Sequence, residues 1–222
     1  MNYGFYISGQ STRLYKFLNA IGRETINSIK IVVSDENIPI PLCQLLDNLS
    51  IQHAAIEHKA LGSNNQERNI KFSNLLLQYL DEYKIDYLFC FGNHLLAGEL
   101  LKKYQWHLIN FHPSLLPMYP GNRAIDQAVA HGNTLLVGNT AHFIDEGTDT
   151  GPVIMQSVIP LKAFYNSGND YDTVLDLIIP MLETLMDLLE SQRISIKNGN
   201  VDIAGADYER SSLFPYLGKW EG

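Results

Sequence analysis

The chain has 222 residues, 45% of them hydrophobic and 18% charged, which suits one large domain with a buried core and excludes extended disorder. Lys and Arg number 16 against 24 Asp and Glu, a net charge of −8, so a nucleic-acid partner is unexpected: gripping a phosphate backbone takes a basic surface. Cys43 and Cys90 stand outside any C-x-x-C pair, which argues for no metal site and suits a reducing cytoplasm, and the chain shows neither a signal-like apolar start nor the run of roughly 18 apolar residues that a membrane span needs.

Residues 3–8 read as a strand and 12–21 as a helix. A second strand, rich in β-branched residues, is expected over 29–33, a helix over 40–49 and a short strand over 53–56. The clearest helix of this half covers 64–83, where Ile70, Leu75, Leu76, Tyr79 and Leu80 recur near one face. Residues 86–91 form a strand, apolar from Tyr87 to Phe91 around Cys90, of the kind covered on both faces. A short helix over 97–104 leads to another buried strand over 108–111. This alternation predicts an α/β fold: an open, mostly parallel twisted sheet flanked by helices, Rossmann-like, with right-handed crossovers. Ligands of such sheets sit beyond the carboxyl ends of the strands. Three of those ends open into residues 8–13, 91–96 and 111–121.

The pattern then changes. Residues 135–144 and 153–161 are longer and alternating, as at a partly antiparallel edge. A second helical pattern runs over 171–193, and Pro180 is expected to kink or divide it. Asn198-Gly199 between Ile196 and Val201 signals a hairpin. The end is aromatic, with Phe214, Tyr216 and Trp220, and is expected to pack on something. The expected division is a catalytic domain over 1–194 and a short C-terminal helix and hairpin extension, its appended part covering 195–222.

The most informative segment is Asn110-Phe111-His112-Pro113-Ser114-Leu115-Leu116-Pro117. Asn110 and His112 are two apart and share one face of a strand, at its carboxyl end. An amide and an imidazole so held can donate two hydrogen bonds to one developing oxyanion. Taken alone, N-x-H equally describes a hydrogen-bonded core histidine beside a strand-end cap. The second segment runs from Asp145 through Gly147 and Asp149 to Gly151-Pro152-Val153-Ile154; taken alone it is an acidic, Gly-rich turn. A Tyr119-Pro120-Gly121 turn lies between the two segments.

In combination these motifs closely resemble the folate-dependent formyltransferase family, with its glycinamide ribonucleotide transformylase-like fold, over residues 3–161. The family includes glycinamide ribonucleotide transformylases, initiator methionyl-tRNA formylases and N-formyltransferases of nucleotide-linked amino sugars. The resemblance implies an N-formyltransferase that uses 10-formyltetrahydrofolate, with a catalytic trio of Asn110, His112 and Asp149. On that expectation Asn110 and protonated His112 stabilise the oxyanion formed when an amine attacks the formyl carbon, one donor being worth about 3 kcal/mol. Asp149 pairs with His112, raises its pKa and relays a proton. The resemblance places the pterin between residues 91–96 and 144–149, chiefly on backbone, with Phe91, Asn93, His94, Leu95, Leu96, Ile144, Asp145 and Gly147 as the contacts. Leu101 is either apolar wall or plain core.

The loop Ser8-Gly9-Gln10-Ser11-Thr12-Arg13 follows a strand and opens a helix, a natural phosphate seat. Purine-pathway members carry S-G-x-G-S-N there, and Gln10, Thr12 and Arg13 depart from it. Arg13 either grips a pyrophosphate or is a solvated helix residue. Substrate contacts are expected from Ser8, Gly9, Gln10, Arg13, Tyr119, Gly121 and Arg123. The departures point to a nucleotide-linked 4-amino-4,6-dideoxy sugar as acceptor, with glycinamide ribonucleotide as the alternative; a folate- or nucleotide-binding module without catalysis is the alternative of another class. For glycinamide ribonucleotide speak the length, the Tyr-Pro-Gly turn and Ala141-His142-Phe143. The absence of a Trp soon after the turn counts against the sugar. A homodimer would agree with the aromatic end.

Overall fold

A computed structural model of the protein describes residues 1–209. The aromatic end at Phe214, Tyr216 and Trp220 lies outside the described residues. The chain divides into two compact units, the first of Met1–Phe111 with His142–Gly151, the second of His112–Ala141 with Pro152 onward.

The first unit holds β1 (Tyr3–Ile7), α1 (Thr12–Ala20), α2 (Arg23–Ser28), β2 (Ile29–Ser34), α3 (Ile40–Asn48), β3 (Gln52–Ala55), a 3-10 turn (His58–Ala60), α4 (Asn65–Glu82), β4 (Tyr87–Phe91), α5 (Glu99–Lys103) and most of β5 (Leu108–His112). The strands lie in the order β3-β2-β1-β4-β5 and pair in parallel, in the α/β architecture expected. Every residue of β1 is buried, as a central strand covered on both faces requires. Phe5 and Phe89 lie 5.4 Å apart by ring centroid, and Phe91 and Phe111 stack at 5.1 Å. The other large cluster gathers Tyr6, Phe72, Leu76, Leu80, Leu88, Cys90, Leu96 and Leu100.

The face of α4 differs from the periodic expectation. Phe72, Leu76 and Leu80 are fully buried and Leu75 and Tyr79 are half-buried against the same cluster, but Ile70 is 40% exposed. Phe72 reaches the Tyr6 ring, and that contact sets the helix rotation. The start of α4 is capped: the Glu67 amide donates to Asn64 Oδ1 at 2.9 Å, and Glu67 Oε2 accepts from the Ser63 amide. Gly92 just beyond β4 is required, because a Cβ there would lie 2.0 Å from the Tyr6 ring.

The last residues of β6 (Leu136–Phe143), His142 and Phe143, belong to the first unit. The Ile144 amide donates to Leu108 O at 2.9 Å, which sets the end of β6 beside the start of β5.

The second unit contains α6 (Ala124–His131), the body of β6, β7 (Val153–Pro160), α7 (Leu161–Asn166), α8 (Asp172–Leu175), α9 (Ile178–Glu190), β8 (Ile194–Lys197) and β9 (Asn200–Ile203). Strands β6 and β7 are neighbours, and they approach so closely at Gly138 that a Cβ would meet Ser157 O at 1.8 Å. Ile125, Val137, Leu161, Phe164 and Val174 form the core here. The second helical pattern is divided, but ahead of the proline, at residues 176–177. Pro180 sits in the first turn of α9, where an amide has no intrahelical partner to lose. The hairpin forms as expected, with Asn198 and Gly199 at φ 52° and 77°, the left-handed pair of a tight antiparallel turn. Helices α2, α6 and α7 were not expected from the pattern. Among the described residues, no helix is long and apolar enough to cross a membrane.

Candidate active site

Strand β5 delivers Asn110 near its carboxyl end, and the loop after β6 delivers Asp149. Both meet His142 within the first unit. Asn110 Nδ2 lies 3.1 Å from His142 Nε2 and 3.5 Å from Asp149 Oδ1. His142 Nε2 in turn lies 3.6 Å from Asp149 Oδ1. The side chains of His142 and Asp149 are 3% and 11% exposed, so these two groups are largely shielded from water. His142 Nδ1 is 2.9 Å from Phe143 O. A carbonyl can only accept, so Nδ1 carries the hydrogen and Nε2 is left to accept from the Asn110 amide. That fixes the amide orientation: the NH₂ of Asn110 faces His142 and the carboxylate, with one N–H on a long, weak contact.

The loop that carries Asp149 is tightly made. Asp145 Oδ1 accepts from the Gly147 amide at 3.0 Å and from Thr150 Oγ1 at 2.7 Å. Asp149 itself has φ 55°, a left-handed backbone that Asp tolerates better than most residues. Gly151 packs its α-carbon against the strand end: a Cβ there would stand 1.8 Å from Phe143 O, the carbonyl that orients His142.

His112 opens the second unit. It is 5% exposed, and its Nε2 donates to Tyr119 O at 2.8 Å. The turn between them is braced by Ser114 Oγ donating to Met118 O at 2.6 Å, and by Thr140 Oγ1, which donates to Ser114 O and accepts from the Leu116 amide. Tyr119, Gly121 and Arg123 follow, all at positive φ. Arg123 Nε donates to Asp126 Oδ2 at 2.8 Å, and Tyr171 Oη donates to the same carboxylate. The Tyr171 hydroxyl, then Arg123, hold the Asp126 carboxyl below its ordinary value. The Arg123 side chain is 81% exposed, an ion pair loose enough to be exchanged for another anion.

The loop from Ser8 to Arg13 is engaged differently from a vacant phosphate seat. Ser8 Oγ donates to Asp35 and accepts from the Asn93 amide. The Gly9 amide donates to Glu36 Oε1 at 2.7 Å, so a carboxylate of the chain already holds the first amide of the loop. Ser11, at the start of α1, is left-handed and makes no side-chain cap. Gln10 is exposed and Arg13 half-buried.

The two loops expected to line a pterin cleft both lie in the first unit. Leu96 is buried and Ile144 packs on the same cluster, with Leu101 also against it, so Leu101 belongs to core as much as to wall. Leu95 is 54% exposed and offers apolar surface. Phe91 and Asn93 lead into it. The amides of Asn93 and His94 are directed inward, to Ser8 Oγ at 2.8 Å and Tyr6 Oη at 3.3 Å.

Residues outside the sequence expectation complete this end of the unit. Asp35, 4% exposed, accepts from Tyr6 Oη at 2.8 Å and lies 3.6 Å from His94 Nε2. His94 stacks on His58 with ring centroids 3.6 Å apart. Burial, then the Asp35 charge, push the Tyr6 phenol far above its ordinary range. Burial, then the charge of His58, pull His94 below its ordinary value against the opposing Asp35. The one sequence signal for His142 was its place in Ala141-His142-Phe143; Glu36 carried none.

A formyl transferase family profile matches residues 1–178. The phosphoribosylglycinamide formyltransferase of Bacillus subtilis is 29% identical over 161 residues, 72% of this chain and 79% of that protein. The formyltetrahydrofolate deformylase of Haemophilus influenzae is 31% identical over 162 residues, 72% of this chain and 56% of that one. The trifunctional purine biosynthetic protein adenosine-3 of Gallus gallus is 28% identical over 158 residues, 70% of this chain, which spans only 15% of that longer protein. Among solved structures, glycinamide ribonucleotide transformylase 1 of Symbiobacterium toebii superposes with a TM-score of 0.79 at 26% identity, over 91% of this chain and 93% of the other. Since the profile covers most of the chain and includes β5 with Asn110 and the loop with Asp149, the chain belongs to the formyl transferase family.

Proposed function

We propose that the protein transfers a formyl group from 10-formyltetrahydrofolate to the primary amine of a small phosphorylated metabolite, with glycinamide ribonucleotide the first candidate. The meeting of Asn110 and Asp149 at a buried His142 carries this reading. The naming of glycinamide ribonucleotide enzymes among its relatives supports the acceptor. The folate supplies a formyl group already activated on nitrogen. The chain supplies the rest. The Asn110 amide donates to the formyl oxygen as charge builds there, turning from its weak contact with Asp149. His112 is the second donor. The Asp149 carboxylate accepts the proton that the amine must lose and passes it on to N10 of the folate as the formyl carbon–N10 bond breaks, which releases tetrahydrofolate. Leu95, Leu96, Ile144, Asp145 and Gly147 line the pterin site, with Phe91, Asn93 and His94 holding the loop in place. Ser8, Gly9, Gln10, Arg13, Tyr119, Gly121 and Arg123 bind the acceptor. Residues 1–194 form the catalytic part and 195–222 an appendage. The two free cysteines support a reducing cytoplasm as its place of work.

One observation favours a second acceptor, a nucleotide-linked amino sugar. Glu36 holds the Gly9 amide, where a simple phosphate would otherwise bind, so an acceptor with hydroxyls toward this loop suits it better than a monoester. The assay is release of tetrahydrofolate from 10-formyltetrahydrofolate with glycinamide ribonucleotide, with a panel of nucleotide-linked 4-amino sugars, and with no amine. Turnover with glycinamide ribonucleotide is expected. Turnover with a sugar alone would transfer the reading to the second acceptor. Release at the same rate without any amine would replace transfer by hydrolysis.

A further inference from the structure

Away from the site already described, at the edge of the first unit's sheet, three side chains of different donor chemistry converge. Cys43 and Asp47 are one turn apart on α3 and so share a face of that helix. His53 follows on β3, the strand at the end of the sheet order. His53 Nε2 lies 3.0 Å from Asp47 Oδ1 and 3.8 Å from Cys43 Sγ, and the sulfur, nitrogen and oxygen all lie within 4.8 Å of one another. We propose that Cys43, Asp47 and His53 form a three-donor zinc site, with water in the fourth position.

The spacing is what carries this. Zinc bonds of about 2.3 Å to sulfur and about 2.0 Å to nitrogen and oxygen, at tetrahedral angles, set the sulfur–nitrogen separation at about 3.6 Å and the nitrogen–oxygen separation at about 3.3 Å. The structure has 3.8 and 3.0 Å, so these two pairs need to move by only a few tenths of an ångström, and the sulfur–oxygen pair, already within 4.8 Å, closes toward the same separation as sulfur and nitrogen. The donors have a simpler interaction between them, an Asp47–His53 ion pair, but Asp47 is 66% exposed and such a pair holds little by itself. That pair also leaves the half-buried thiol aimed at an imidazole nitrogen with no strong bond to make. Thiolate with imidazole favours zinc over the hard, oxygen-seeking ions, and a single carboxylate keeps the site neutral overall: one thiolate and one carboxylate against the dication. Binding displaces the Cys43 thiol proton to solvent, while His53 gives the lone pair of Nε2. Because the donors come from α3 and β3, the ion ties this helix to the edge strand.

The test uses the full chain without a histidine tag and does not depend on formyl transfer. Cobalt is titrated into the reduced protein as a spectroscopic stand-in for zinc, and zinc is then added. The expected result is one equivalent of cobalt with a sulfur-to-cobalt charge-transfer band and tetrahedral d–d bands, all bleached by zinc. Cys43→Ser should lose the charge-transfer band. His53→Ala should weaken binding by more than the roughly 10- to 100-fold that follows loss of a mere outer partner. Circular dichroism of both variants checks that they fold. Absence of the bands in the wild-type protein, or their persistence unchanged in Cys43→Ser, overturns the site. A cobalt affinity of folded His53→Ala equal to wild type overturns it as well.

Discussion

At the scale of single residues, the site turns on how one amide is held. Asn110 presents its NH₂ to His142 Nε2 at 3.1 Å, and His142 can accept there only because Phe143 O takes the hydrogen on Nδ1. On the proposed function Asn110→Ala removes an oxyanion donor, and kcat should fall by about 10²- to 10³-fold with KM little changed. His142→Ala leaves the donor present but unaimed. Its kcat should fall by about 10- to 100-fold, since small misplacements of a catalytic group cost on that order. His142→Gln keeps an acceptor within reach of Asn110 and should recover part of the loss. Steady-state kinetics on the three variants decides the matter: if His142→Ala turns over like wild type, Asn110 is aimed by something else. That Asn110 and Asp149 are candidates for one site was legible in the sequence, because each sits in a short motif, and the structure brings their side chains to 3.5 Å. His142 was legible only as part of a three-residue likeness, since its importance depends on Asn110, 32 positions away. Glu36 was not legible, because nothing in its neighbourhood announces a bond to the Gly9 amide 27 positions earlier.

The elements matter to the site through two close approaches of backbone. Gly151, in the D-x-G-P segment, allows the loop to lie on the end of β6, where any Cβ would fall 1.8 Å from Phe143 O. Gly151→Ala therefore has to push that carbonyl away. The expected cost is about 1–3 kcal/mol of stability, the range for overpacking a dense region, together with a fall in turnover, because the displaced carbonyl is the one that orients His142. Urea unfolding and kcat measured on the same preparation separate the two effects. A variant that loses stability yet keeps full turnover would show that Phe143 O does not set the imidazole. Most of the elements themselves could be read beforehand, for a physical reason. Strands β1 and β4 are apolar throughout and β2 and β5 largely so, because both faces are covered, and the long α4 repeats its apolar residues often enough to show a period. What misled was local. Ile70 fits the period of α4 yet lies out in solvent, because Phe72 reaching Tyr6 decides which face turns inward. Pro180 reads as a break, but the first turn of a helix can hold it. Helices α2, α6 and α7 have six to eight residues, too few for a period to stand out.

For the whole molecule, the family was legible and the acceptor was not, since the first rests on motifs and the second on loop contacts such as Glu36 with Gly9. Its stability should also depend on pH in a way that composition does not show. His94 is pulled below its ordinary value of 6.5, chiefly by burial and then by His58, with Asp35 opposing. The folded chain therefore gives up this proton more readily than the unfolded chain does. Above about pH 6.5 neither state holds it and there is no effect. As the pH falls below that, the unfolded chain takes up the proton first, unfolding draws protons in, and stability declines until the pH passes the folded value. The exposed carboxyls act in a separate and lower window. Glu67 is held down to about 2, first by its hydrogen bond with Lys71, so its contribution is present above the ordinary value of 4.5 and is lost as pH falls from there toward 2. Urea midpoints at about pH 7.5 and about pH 5.5 avoid that lower window, which begins near the ordinary carboxylate pKa values. The wild-type midpoint should drop over this interval, and that of His94→Gln should drop less, since glutamine has no proton to take up. Equal drops in the two proteins would assign the acid sensitivity to another group, and a steeper drop in His94→Gln would mean that Asp35 outweighs burial at this position.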